Sequence, residues 1–163
     1  MPTAISVEIR PASAADHDAW MPLWQAYQRF YMTNIPAETT ERTWQRFLDA
    51  GEPMHAALAW HEGEAIGLVH WIYHRSCWTT GDSCYLQDLF VGKAVRESGV
   101  GRRLIEHVYA EAQRAGCARV YWLTHETNTT AMRLYERIAE RSGFVQYRQD
   151  DLQRFARSER EQP

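Results

Sequence analysis

The feature that most constrains this fold is the order of a strand, a glycine-containing turn, a long helix and a second strand in the middle of the chain. The strands are YLQDLFV, from Tyr85, and ARVYWLT, from Ala118, which are apolar and rich in strand-forming residues. The helix between them ends before Gly116 and carries apolar residues at helical spacing: Val100, Leu104, Ile105, Val108, Tyr109 and Ala112. Because strands joined through a helix pair in parallel, the sequence predicts a right-handed βαβ unit and an α/β fold.

The residues before this unit predict further strands and two helices. ISVEIRPA alternates as a first strand, and HAALAWHEGEAIGLVHWIYHR reads as two strands joined by a turn at Gly63. A helix opens at Asp16 and a second one covers TERTWQRFLDA. The first helix carries an apolar stripe that is typical of a core: Trp20, Leu23, Trp24, Tyr27 and Tyr31. We therefore expect a twisted mixed β-sheet flanked by α-helices, antiparallel first and parallel around the glycine turn.

Length and composition place these elements in one domain. The chain has 163 residues without a repeat or a low-complexity linker, so we predict a single domain over residues 1–150 and a polar tail over residues 151–163. A net charge of −3 argues against nucleic-acid binding, and no apolar run reaches the roughly 18 residues of a membrane span. The three cysteines lack the paired spacings of zinc sites, and His70 and His74 lie about 13 Å apart on a strand. We expect no metal and a cytoplasmic location.

The glycine turn ahead of the long helix has the composition of an anion-binding site. A helix starts with backbone N–H groups that have no intrahelical partner, and its dipole makes that end positive. Gly99 and Gly101 allow a ligand to approach the backbone. Positive charge comes from Arg96, Arg102 and Arg103, and Ser98 adds a hydroxyl. The turn lacks the lysine of a Walker loop and the third glycine of a dinucleotide fingerprint. A pyrophosphate suits it; the alternative is that the glycines only turn the chain and the arginines are solvated.

A second group of polar residues follows the second strand, in LTHETNTTAMRLYERIAERSGF. The apolar residues of this stretch recur at helical spacing, which predicts a helix closed by Gly143. Asn128, Thr129 or Thr130 suits the N-cap of this helix, and Tyr135 points broadly inward from it. Capping and core packing would explain these residues without any function.

Together, these motifs resemble the coenzyme-A-binding core of the GNAT N-acetyltransferases. The resemblance rests on the order and spacing of YLQDLFV, RESGVG and ETNTTAMRLYERIAERSGF. It extends to WMPLWQAYQRFY, RFLD, IGLVHWIYHRSCWTT and VYWLTHETN, which are similar to the yeast histone/polyamine and D-amino-acid acetyltransferase branch and its bacterial relatives. It covers nearly the whole chain except the tail. It implies the GNAT fold, in which a splayed parallel strand pair binds the cofactor.

The resemblance also implies which residues bind acetyl-CoA as cosubstrate. The family's pyrophosphate-binding segment corresponds to Arg96, Glu97, Ser98, Gly99, Val100, Gly101 and Arg102. The end of the preceding strand would pair through its backbone with the pantetheine arm, as an added strand does, and comprises Leu89, Phe90 and Val91. Asn128 would assist near the splayed end of the second strand.

The implied reaction is transfer of an acetyl group from the thioester to a primary amine in a ternary complex. Tyr135 matches the family's general acid, which protonates the leaving thiolate, and a backbone N–H near residues 89–91 would bind the oxyanion. The base stays open, because Gln87 stands where polyamine acetyltransferases have a glutamate, which leaves Asp88, Glu126 or a water chain. The catalytic residues we expect from this chain are Tyr135 and Asp88.

The acceptor is left open among polyamines, amino acids and basic protein tails. Acidic residues such as Asp82 would attract a cation, whereas the carboxylate of an amino acid would need an arginine such as Arg29. A nucleophilic Cys84 or Cys117 is disfavoured, because no histidine and acid pair with either one by spacing. The alternative function is a non-catalytic acyl-CoA sensor or interaction module, which Gln87 keeps open. The family and the many aromatic residues favour a homodimer.

Overall fold

The computed structural model describes residues 5–153, which divide into one unit that reaches His125 and another that begins at Glu126. The first unit contains a five-stranded sheet whose spatial order, β1–β2–β3–β4–β5, is also the order along the chain. The strands are β1 (Glu8–Pro11), β2 (Met54–His61), β3 (Glu64–His74), β4 (Ser83–Val91) and β5 (Arg119–Tyr121). Neighbouring strands are antiparallel through β4, and β4 and β5 are parallel. These pairings confirm the predicted mixed sheet and its βαβ connection.

The helices of this unit lie on both faces of the sheet. They are α1 (His17–Phe30), α2 (Ala37–Leu48) and α3 (Val100–Arg114). His70 and Trp71 are neighbours on β3 and so point to opposite faces. The ring of His70 packs against Trp20 of α1 and Phe47 of α2, whereas the ring of Trp71 contacts His107 of α3. Thus α1 and α2 cover one face and α3 covers the other.

The core on the α1 side is aromatic. It consists of Trp20, Trp24, Trp44, Leu58, Leu68 and Phe90. The Trp20 ring stacks on that of Trp24, with centroids 5.8 Å apart, and lies 4.8 Å from the ring of Trp44. Burial of each such side chain contributes roughly 2–3 kcal/mol, so this cluster fixes α1 firmly on the sheet. The prediction that the apolar stripe of α1 belongs to the core is confirmed for Trp20 and Trp24, with Leu23 and Tyr27 packed against them, whereas Tyr31 is 43% exposed.

The turn between β2 and β3 is a tight hairpin. Its two central residues, Glu62 and Gly63, both have positive φ angles, of +49° and +85°. Two positive φ angles in succession match the right-handed twist of the flanking strands, and glycine adopts this conformation without strain. The predicted turn at Gly63 is confirmed.

The second unit contains one further helix, α4 (Thr129–Ile138). The prediction that Gly143 closes this helix is wrong, because Ala139 already has extended backbone angles, φ −149° and ψ 173°. Gly143 has a φ of +81° in the segment that follows, where residues 140–150 form neither helix nor strand. Most of the predicted tail, residues 154–163, lies outside the described residues, and the division into a domain over 1–150 and a tail stays a prediction.

Candidate active site

The parallel strands β4 and β5 separate after a short stretch of pairing. Residues 83–85 pair with residues 119–121, where β5 ends, while β4 continues to Val91. In the described part of the chain, no strand pairs with this side of β4 beyond that point. Such an edge offers its backbone N–H and C=O groups to another extended chain. The three residues predicted to pair with the pantetheine arm, Leu89, Phe90 and Val91, all lie on it.

The turn that leads from β4 into α3 contains two residues in the left-handed conformation. Glu97 has a φ of +67° and Gly99 a φ of +84°, and α3 begins at the next residue, Val100. A Cβ built on Gly99 would meet no heavy atom within 4 Å, so the backbone angle favours glycine here and open space lies beside it. Since the N-cap residue is a glycine, it offers no side chain to cap the helix. The first N–H groups of α3 are therefore suited to an anion.

Arg96 lies between this turn and the end of β4. Its Nε donates a hydrogen bond to the carbonyl oxygen of Val91, at 3.2 Å. Its guanidinium carbon lies 5.6 Å from the ring centroid of Phe30 and 5.8 Å from that of Phe90. These contacts hold an exposed positive charge beside the free edge of β4, because a guanidinium is attracted to the faces of aromatic rings.

The other polar residues of the turn bond within the chain. The Ser98 hydroxyl donates to the carbonyl oxygen of Val95, and Arg102 forms an ion pair with Glu106 at 2.7 Å. The Val100 side chain is buried, so this residue can serve a ligand only through its backbone. The Arg96 side chain, in contrast, lies at the free strand edge, beside the carbonyl oxygen of Val91.

A β-bulge in β4 decides which side chains face α1. His70 of β3 stands opposite Asp88, but Trp71, one residue later, stands opposite Leu86, so Gln87 is an extra residue. Residues opposite each other share a face, which places Asp88 on the same face as His70. Gln87 is exposed, whereas only 13% of the Asp88 side-chain surface is exposed to solvent.

Asp88 belongs to a chain of buried hydrogen bonds. The indole Nε1 of Trp20 donates to Nε2 of His70 at 2.9 Å, and Nδ1 of His70 lies 2.9 Å from Oδ2 of Asp88. The hydroxyl of Tyr27 is hydrogen-bonded to the same carboxylate. Trp20 is fully buried and His70 is 2% exposed. Helix α1 and strands β3 and β4 thus converge on one carboxylate.

Tyrosine side chains line the outward side of Asp88. Burial raises the pKa of Tyr27, and the charge of Asp88 raises it further. Burial and Asp88 also raise the pKa of Tyr31 and of Tyr85. These phenols therefore stay protonated at neutral pH and surround the carboxylate with dipoles rather than charges. Tyr31 is hydrogen-bonded to Tyr27 and is 43% exposed, so the chain of polar groups reaches the surface.

Three residues considered for the site lie in the second unit. Asn128 occupies the N-cap position of α4, where its side chain makes no capping hydrogen bond. Its carbonyl oxygen accepts the first helical bond, from the N–H of Met132 at 3.1 Å. Tyr135 is half-buried on α4, and Glu126 is exposed in the turn before the helix. The roles expected for Asn128 and Tyr135 stay predictions.

The cysteines are poorly suited to nucleophilic catalysis. Burial raises the pKa of the Cys84 thiol to about 12, and burial also raises the pKa of Cys117. A thiolate at either position is therefore scarce at neutral pH. Within residues 5–153, no group of three or more His, Cys, Asp or Glu side chains could hold a metal ion. No helix over the same residues is long and apolar enough to cross a membrane.

Sequence reasoning missed Trp20, His70 and Tyr27 as parts of this site. It considered His70 only as a metal ligand and assigned Trp20 and Tyr27 to the core. One signal was available: His70 interrupts the apolar run GLVHWI, and a polar side chain in a buried strand needs a hydrogen-bond partner. The identity of that partner, 50 positions earlier in the chain, depends on tertiary structure.

Comparisons with known sequences agree with this geometry. A model of the acetyltransferase (GNAT) family matches residues 20–139. The chain is 36% identical over 146 residues to the D-amino-acid N-acetyltransferase HPA3 of Saccharomyces cerevisiae, covering 88% of this chain and 91% of that protein. It is 29% identical over 143 residues to the uncharacterized N-acetyltransferase YhfO of Bacillus subtilis, covering 86% of this chain and 95% of the relative.

Solved structures share the fold at low sequence identity. The aminoglycoside acetyltransferase AAC(6')-Iy, in complex with a bisubstrate analogue of coenzyme A, superposes with a TM-score of 0.78 at 19% identity, covering 89% of this chain and 98% of that one. A ribosomal-protein-alanine N-acetyltransferase from Brucella melitensis gives a TM-score of 0.76 at 19% identity, over 88% and 98% of the two chains. The separation of β4 from β5 and the start of α3 without a side-chain cap agree with these relatives. The chain belongs to the GNAT family and is an N-acetyltransferase.

Proposed function

We propose that this N-acetyltransferase moves an acetyl group from acetyl-CoA directly to the primary amine of a small cationic acceptor. The observation that carries the proposal is the arrangement of β4, whose free edge opens beside Arg96 and the start of α3 while Asp88 projects from the same strand toward α1. One strand thereby presents a backbone edge for the donor and a carboxylate for the acceptor.

The residues present fit acetyl-CoA. The backbone of Leu89, Phe90 and Val91 would pair with the amide-containing pantetheine arm, as a sheet edge pairs with an added strand. The uncapped N–H groups of α3, with the open space at Gly99 and the guanidinium of Arg96, would hold the pyrophosphate. Asn128 is the residue of the second unit to which we assign a supporting role on the donor side.

The acceptor side suits a positively charged amine. The Asp88 carboxylate is nearly buried, its neighbouring phenols are neutral, and none of the described lysines or arginines lies within ion-pair distance of it. A buried charge without an opposite charge is costly, and the ammonium group of an acceptor would supply one. Relatives named for action on D-amino acids, on L-ornithine and on thialysine support an acceptor of the amino-acid type. A basic protein tail carries the same ammonium group.

The chemistry combines these placements with the acid that the family resemblance assigns to Tyr135. Asp88 receives the proton of the acceptor ammonium, and the neutral amine attacks the thioester carbonyl carbon. A backbone N–H of residues 89–91 stabilises the oxyanion, the carbon–sulfur bond then breaks, and Tyr135 donates its proton to the leaving thiolate. The products are an N-acetyl amine and free coenzyme A.

The test is release of free thiol from acetyl-CoA with a panel of polyamines, D- and L-amino acids and basic peptides, with coenzyme A binding measured in parallel. Turnover with cationic amines and none with neutral hydroxyl compounds of the same size is the expected result. Tight binding of coenzyme A without turnover on any amine would instead favour the sensor function.

We also propose that the protein is a cytoplasmic homodimer. Phe144, Val145 and Tyr147 support the dimer, because they are 88%, 75% and 93% exposed in a segment that forms no strand of its own. Light scattering on the purified protein tests this, and a monomer at all concentrations would contradict it.

A further inference from the structure

We propose that His70 is a positioning residue that keeps Asp88 anionic, and that Trp20 holds His70 in a single neutral tautomer. The inference rests on the proposed function, because it assigns Asp88 to the acceptor side. It adds two residues that act on the reaction without touching either substrate.

The hydrogen bonds fix where the proton of His70 lies. An indole N–H can only donate, so Nε2 of His70, which lies 2.9 Å from Nε1 of Trp20, must accept and carries no hydrogen. In the neutral imidazole the single hydrogen is then on Nδ1, which donates to Oδ2 of Asp88 at 2.9 Å. A second proton on Nε2 would face the indole N–H, and the Trp20 bond would have to break.

The neighbours of this pair leave no other group to balance the charge. From α1 the titratable side chains that face Asp88 are Tyr27 and Tyr31, and from β4 it is Tyr85. The ring of His70 is enclosed by Trp24, 5.1 Å away between centroids, and by Phe47, 4.5 Å away. In the described structure none of these side chains carries a positive charge.

The consequence concerns the acceptor. A histidine free to take a second proton would form an ion pair with Asp88 and cancel the charge that attracts the ammonium and accepts its proton. Because Trp20 opposes that second proton, Asp88 keeps both functions in mildly acidic solution. A buried histidine of purely structural use would not need to stay neutral for activity, and this difference can be measured.

The experiment that tests this proposal compares two tryptophan substitutions. Trp20→Phe removes the indole N–H and keeps an aromatic ring. Trp24→Phe is the matched control, because Trp24 is equally part of the core and packs against His70, but its Nε1 makes no hydrogen bond in the described structure. The first readout is an NMR spectrum that correlates the ring nitrogens of each histidine with its carbon-bound protons, recorded between about pH 5 and pH 9. The signals of His70 are assigned by their loss in His70→Asn.

For the wild type and for Trp24→Phe we expect neutral His70 to carry its hydrogen on Nδ1. For Trp20→Phe we expect His70 to take up its second proton at a higher pH than in these two proteins. This readout requires no turnover, so it can fail or succeed independently of the proposed function. Uptake of the second proton at the same pH in the wild type and in Trp20→Phe, or a hydrogen on Nε2 of neutral His70 in the wild type, would overturn the proposal.

The second readout is kcat/KM for an acceptor amine against pH, relative to wild type at each pH. Because a second proton on His70 would cancel the charge of Asp88, the relative kcat/KM of Trp20→Phe should fall about tenfold between neutral pH and about pH 5.5. Trp24→Phe should show a constant ratio. His70→Asn keeps a donor toward Asp88 and should retain more activity than His70→Leu. Identical pH profiles for the two tryptophan variants, or equal activity of the two His70 variants, would contradict a positioning role.

Discussion

Replacement of Asp88 by asparagine removes the negative charge at the centre of the site and keeps the shape of the side chain. Asparagine has the same size, and its Oδ1 can still accept the hydrogen bond that Nδ1 of His70 now donates to Asp88 at 2.9 Å. The substitution removes the negative charge from a side chain that is 13% exposed and has no lysine or arginine partner among the described residues. We therefore expect folding to be preserved while the acceptor loses both its counter-ion and its base.

The magnitude follows from these two losses. A positioned general base contributes about 10²–10⁴-fold to the rate, so kcat should fall by about that factor at neutral pH. An ion pair at about 4 Å with an effective dielectric constant of about 20 is worth up to about 4 kcal/mol before desolvation, so KM for the amine should rise as well. The affinity for coenzyme A should not change, because Asp88 faces α1 rather than the free strand edge.

The assay is thiol release at saturating acetyl-CoA with the amine varied, together with thermal unfolding of each variant. Asp82→Asn is the matched control, since Asp82 precedes β4 and pairs at 2.9 Å with the exposed Arg75. Asp88→Asn with the same kcat and KM as Asp82→Asn, at unchanged stability, would refute the role of Asp88 and leave Glu126 or a water chain as the base.

Three further substitutions test the donor site, the acid and the fold. Tyr135→Phe should keep coenzyme A binding and lower kcat by about 10²–10⁴-fold, and full turnover across the pH range would show that Tyr135 is not the acid. Gly99→Ala should weaken coenzyme A binding and lower the free energy of unfolding by about 1–2 kcal/mol in a denaturant titration, because a φ of +84° strains any residue with a Cβ. Unchanged binding and stability would mean that the turn relaxes freely. The hydrogen bond from Arg10 lowers the pKa of Asp16 to about 2, from an unfolded value near 3.8. This pair therefore contributes about 2 kcal/mol to the free energy of unfolding above about pH 4, and the contribution is lost as the pH falls from 4 toward 2. Asp16→Asn should remove this acid-dependent part of the unfolding free energy, and an identical pH dependence in both proteins would contradict the assignment.

Local patterns predicted the frame of the site. The strand before Gly92, the glycine turn and α3 are adjacent in sequence, so periodicity and helix-end chemistry were sufficient to predict them. The bulge at Gln87 was not predictable in this way, because a strand pattern assumes unbroken alternation of its two faces. The bond between Trp20 and His70 joins residues that only the folded sheet brings together. The end of α4 was misplaced because Gly143 is a typical stop signal, yet the chain leaves the helix already at Ala139.

The bulge in β4 also governs how this strand tolerates insertions and deletions. Counting back from Asp88, the extra residue leaves Tyr85 on the face of α1 and Leu86 and Cys84 on the face of α3, where both are buried. In-frame removal of residue 87 would join Asp88 directly to Leu86 and give an unbroken ladder in which each of these side chains keeps its face. Removal of Leu86 would instead place the amide of Gln87 opposite Trp71, in the buried position that Leu86 now fills. A library that scans single-codon deletions should therefore find position 87 more tolerant than position 86.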